Sequence, residues 1–213
     1  MRKLIYVRII HTEADMGSLL SAAKTEFLRR YGPREWEEHV EAVQRFWEDL
    51  EHRIARLDLD YGRTYLYQDG LPVCGKEVDI VTELAHSGSR NHRLILRLVE
   101  QGATLVGTEA PGMLLEEYEL MQNALAIAGS QQGEAALTQY RTKADELLSR
   151  RDAYIRQRID STLPDQATGL LFIGLMHRVD QGLPEDISVS YLSHRLPPSR
   201  ATDITRLGGP SET

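Results

Sequence analysis

The chain contains a single cysteine in 213 residues, so it cannot form an internal disulfide, and a thiolate zinc cluster would need other chains. That residue, Cys74, lies in the turn-like stretch Leu71-Pro72-Val73-Cys74-Gly75 with no basic side chain before Lys76. Nothing in this context lowers a thiol pKa, so Cys74 reads as a bystander rather than a nucleophile. Long apolar runs are also missing. The best, Leu170 to Met176, falls far short of the roughly 20 residues that span a bilayer. The start Met1-Arg2-Lys3 runs into a strand rather than a cleavable leader, and the expectation is a cytoplasmic protein without a membrane partner. There is no basic excess either. The net charge is -7 with both signs mixed along the chain, which disfavours nucleic acid as a partner. No G-x-G-x-x-G or Walker loop, no H-E-x-x-H and no G-x-S-x-G elbow occurs. These absences argue against nicotinamide cofactors, P-loop nucleotides, zincin-type proteases and the usual serine hydrolases.

What remains is the composition of an ordinary folded chain, with 41% apolar and 27% charged residues and a length suited to one domain. The expected layout is a single domain over 1–197 and a loosely held tail over 198–213, rich in Pro, Ser, Gly and Arg.

Residues 3–10 are β-branched and aromatic and predict a first strand ending at His11. Leu19, Leu20, Ala23, Phe27, Leu28 and Tyr31 follow at helical spacing until Gly32-Pro33. Trp36, Val40, Val43, Trp47, Leu50, Ile54 and Leu57 then form one stripe of a long helix. Such a stripe serves either to pack on the sheet or to pair two copies through the 36–57 helix as a homodimer.

Further strands are expected at 63–67, 103–107 and 169–174, with an edge strand at 187–192. Helices are expected at 75–86, 91–101, from Pro111 onward, and over 134–161. Strands separated by helices predict an α/β fold, a single layered domain with a mainly parallel sheet flanked by helices.

In such sheets ligands bind outside the carboxyl ends of the strands. The residues delivered there are His11, Thr12, Glu13 and Asp15, then Asp69, then Thr108 and Glu109, then His177. Two histidines with several carboxylates are the ligand set of a first-row divalent cation, or of an acid/base pair. On the 134–161 helix Arg151 and Asp152 interrupt an apolar face. A buried charge is costly unless paired, so this pair is expected to serve the site, with Arg151 holding an anion or orienting a carboxylate. By contrast His39, His52, His86, His92 and His194, and the run Glu116, Glu117 and Glu119, read as packing or solvated residues.

Three of these segments together resemble the TraB, ChaN and erythromycin-esterase-like superfamily. They are Ile9-Ile10-His11-Thr12-Glu13, the Arg151-Asp152 pair followed by a Tyr-Ile step, and Phe172-Ile173-Gly174-Leu175-Met176-His177. They match a His motif after the first strand, an Arg-Asp element on a late helix and a G-x-x-H motif after a late strand. The Gly that commonly opens the first of these is replaced here, in Arg8-Ile9-Ile10-His11. The resemblance implies an α/β domain with a polar cleft, in a group that includes metal-dependent peptidases, haem-binding proteins and antibiotic-inactivating hydrolases.

The resulting expectation is a metal-assisted hydrolase-like site for a small-molecule or peptide ligand. His11, Glu109 and His177 would hold Zn or Mn, Glu13 or Asp69 would act as general base, Arg151 would stabilise developing negative charge, and Asp152 would orient it. The alternatives are a module that captures a small anion or haem without turnover, and a helix-mediated oligomeric interaction protein.

Overall fold

The computed structural model describes residues 1–12, 15, 20–128 and 134–192. Glu13, His194 and the tail expected over 198–213 lie outside the described residues. Five strands form one sheet: β1 (Arg2–Ile9), β2 (Thr64–Gln68), β3 (Thr104–Val106), β4 (Thr168–Gly174) and β5 (Ile187–Tyr191). Among the described residues six helices accompany them: α1 (Leu20–Tyr31), α2 (Pro33–Ile54), α3 (Glu77–His86), α4 (Arg90–Glu100), α5 (Pro111–Ala128) and α6 (Glu134–Thr162). The sheet order is β3-β2-β4-β1-β5 and every pairing is parallel. The chain is a single α/β domain.

Alternation along the strands sorts the core into two layers. Val7 and Ile9 of β1, Leu66 of β2, and Leu170 and Phe172 of β4 turn to one face, where Trp47 and Leu50 of α2 meet Ile95 and Leu98 of α4. Leu4, Tyr6, Tyr67, Leu171 and Ile173 turn to the other, against Ile155 and Ile159 of α6. Because β4 is buried on both faces it reads as an unbroken apolar run, as central parallel strands do.

The start of α2 follows from Gly32, whose φ of 87° suits only glycine, and from Pro33 at the first helical position. Its stripe points inward. Trp36, Val43, Phe46, Trp47, Leu50 and Ile54 are all buried within the chain, Trp36 against Ala23 and Phe27 of α1 and the others in the layer between the sheet and α4. The indole N–H of Trp47 also donates to the Ile10 carbonyl at 3.1 Å, anchoring the backbone beside His11.

Candidate functional site

The carboxyl edges of β1, β2 and β4 open onto a cleft of about 350 Å³. β1 delivers His11, β2 delivers Asp69, and the turn after β4 delivers His177, while α6 supplies Arg151 from one side. Asp69 is fixed twice over. Its backbone N–H continues the ladder to the Phe172 carbonyl at 2.9 Å, and its carboxylate accepts the Gly174 N–H at 2.9 Å. A side chain at Gly174 would sit 2.9 Å from that carboxylate, so only glycine lets the strand end pass this close.

Arg151 lies at the back of the cleft, buried, and forks between two carboxylates. Its guanidinium donates to Asp69 at 2.9 Å and to Glu109 at 2.7 Å, and a third donor reaches Glu117 on α5. Glu109 in turn accepts the Gly70 N–H at 2.7 Å. With three carboxyl groups around it, this guanidinium is engaged in orienting carboxylates, one of the two uses the sequence leaves open for it. Asp152, the next residue, faces another partner. It accepts the His177 Nδ1–H at 2.5 Å and the Arg178 N–H at 2.8 Å, leaving His177 Nε2 3.4 Å from Asp69.

Burial works against the charge on His177, yet Asp69 and Asp152 outweigh it and push the imidazole up to about 10, so it is a cation near neutrality. Burial likewise opposes ionisation of Asp69, and here His177 and Arg151 prevail, holding it well below the usual carboxylate range. For Glu109 and Glu117 burial wins, and both are raised. The site thus holds two fixed cations and one firmly ionised carboxylate, with two further carboxyl groups whose ionisation burial opposes and Arg151 favours. His11 stands apart at the mouth: its side chain is 33% exposed and its Nε2 lies 3.8 Å from Asp69 Oδ2.

No family model, curated protein or solved structure matches this chain.

The expected metal trio does not fit a divalent cation in this arrangement. Glu109 is committed to Arg151 and Gly70, and the Nδ1 of His177 is committed to Asp152. Among the described residues no group of three or more His, Cys, Asp or Glu is arranged to hold a metal ion.

One reading of the sequence is corrected by the packing. Glu117, read as part of a solvated run, pairs with Arg151 and lines the cleft. His92, read as a packing or solvated residue, is buried at the cleft wall beside Asp15, with Nδ1 2.7 Å from Ser89 Oγ and 3.3 Å from Asp15 Oδ1. Ser89 caps α4, accepting the His92 N–H at 3.2 Å. The Ser89-x-x-His92 spacing at a helix start is the signal that places this histidine; the approach of Asp15 from the far side of the sheet order has no local signal. Cys74 is exposed and takes no part.

Proposed function

We propose that the cleft is the hydrolytic site of a small-molecule acyl hydrolase that works by acid/base chemistry. The observation that carries this reading is the accessible His11 beside the buried, ionised Asp69, facing the cationic His177 across the same cleft. Accessible histidine is the side chain best suited to exchange protons near neutral pH, and catalytic hydrogen bonds that are long in an empty site tighten when substrate excludes water.

In the proposed step His11 Nε2 takes a proton from a water molecule as its oxygen attacks the carbonyl carbon of an ester. Negative charge moves to the carbonyl oxygen, where the imidazolium of His177 meets it. Asp69 steadies the imidazolium formed on His11. When the tetrahedral centre collapses, the leaving alkoxide takes that proton back from His11, so the enzyme ends as it began. Leu84, Met121, Leu148 and Leu175 line the remaining wall and fit the apolar body of a small substrate.

The test is a panel of small esters and lactones assayed with the parent and His11→Asn. Losing a general base costs on the order of 10²–10⁴ in rate, and circular dichroism should show the variant still folded. Equal turnover by parent and variant would sink the assignment.

A further inference from the structure

A second cleft of about 270 Å³ opens beside the first and shares His11 with it. Its lining differs. The first carries Asp69, Glu117 and Asp15 together with Arg151 and His177, whereas the second is lined by His39, Arg90 and Arg93 with no acidic side chain among its described lining residues. Its floor is apolar, made by Val43 and the fully buried Trp47.

The two arginines differ. Arg90 is tied down, donating to Glu51 at 3.1 Å and to the Gln44 carbonyl at 3.2 Å. Arg93 is exposed, one turn along the same helix, and its guanidinium makes no hydrogen bond or ion pair with the described residues. An arginine fork without a carboxylate, set in a concave wall beside a second guanidinium and a histidine, is chemistry for an anion with two or more oxygens.

We infer that the second cleft is a subsite for an oxyanion group, a carboxylate or a phosphate, carried by the molecule whose ester occupies the first cleft. This rests on the hydrolytic reading for the ester only; the anion subsite stands on its own residues. The difference in lining explains how one ligand is oriented. Its anionic end is held by Arg93, and its neutral body then spans His11 into the reactive end. Since His11 lines both clefts, the bond to be broken lies between the apolar body and the anionic group.

Inorganic phosphate is the probe, titrated into the full chain at low ionic strength with calorimetry as the readout. Saturable binding is expected, weakened about 10-fold or more in Arg93→Gln and partly restored in Arg93→Lys, since one charge-assisted bond is worth that much. Binding in Asp69→Asn should be retained, because that residue belongs to the first cleft. Phosphate bound equally by the parent and Arg93→Gln marks a site elsewhere and overturns the proposal, as does no saturable binding by the parent. Esterase activity lost in His11→Asn, together with either of those results, would leave the hydrolytic reading standing while the subsite falls.

Discussion

At the scale of single residues, Arg151 is the most consequential. It neutralises Asp69, Glu109 and Glu117 from within the fold, and removing one partner of a buried ionic group leaves the rest uncompensated. Arg151→Met is expected to cost about 3–5 kcal/mol in urea unfolding. Arg151→Lys should rescue little, because an ammonium cannot fork between two carboxylates. His177 gives a pH-dependent counterpart. Its folded-state value of about 10 stands above the ordinary 6.5, so its contribution to stability is complete below 6.5 and is lost as pH rises through about 10. Unfolding midpoints across that window should fall for the parent and stay flatter for His177→Gln; identical slopes would show that the imidazole is not charged.

Much of this was legible in the sequence. Arg151 and Asp152 announce themselves by breaking an apolar face, and His11, Asp69, Glu109 and His177 by following strands. Which carboxylate meets which cation was not legible, since Glu117 reaches the cleft, and Asp15 meets His92, only through packing between distant elements, and a charge on a helix looks the same whether it faces water or a buried guanidinium.

At the scale of elements, periodicity located every described helix and strand to within a few residues, because burial of one face imposes the period directly. It could not say what the α2 stripe packs against. Trp47 answers that, with no exposed surface and a bond to the Ile10 carbonyl. Trp47→Phe keeps most of the volume and leaves that carbonyl unpaired, so about 1–3 kcal/mol should be lost, together with ester turnover, because Ile10 adjoins His11. Retained stability with unchanged turnover would mean that α2 does not position the histidine. The end of β4 is equally tight. Gly174→Ala places a methyl against a carboxylate that Arg151 already holds, and should cost about 1–3 kcal/mol while displacing Asp69 from His11. A crystal structure of that variant with Asp69 unmoved would contradict this.

At the scale of the whole molecule, the order β3-β2-β4-β1-β5 was beyond the sequence, because parallel pairing is non-local and leaves no mark on neighbouring residues. It makes β4 the strand that joins the two halves of the described sheet: β1 and β2 each pair with β4 and not with each other. A fragment ending at Thr162 is therefore expected to show no cooperative unfolding transition, and a sigmoidal melt from it would refute the dependence. The same order bears on how the protein is made. The ribosome releases β1 and β2 long before α6 and β4, so Leu4, Tyr6 and Tyr67, all buried in the finished sheet, emerge before the residues they pack against. The nascent chain must hold two sticky ribbons apart until its last third is translated. A polypeptide stalled before residue 168 therefore lacks the strand on which both β1 and β2 close, and carries an open sheet edge on each.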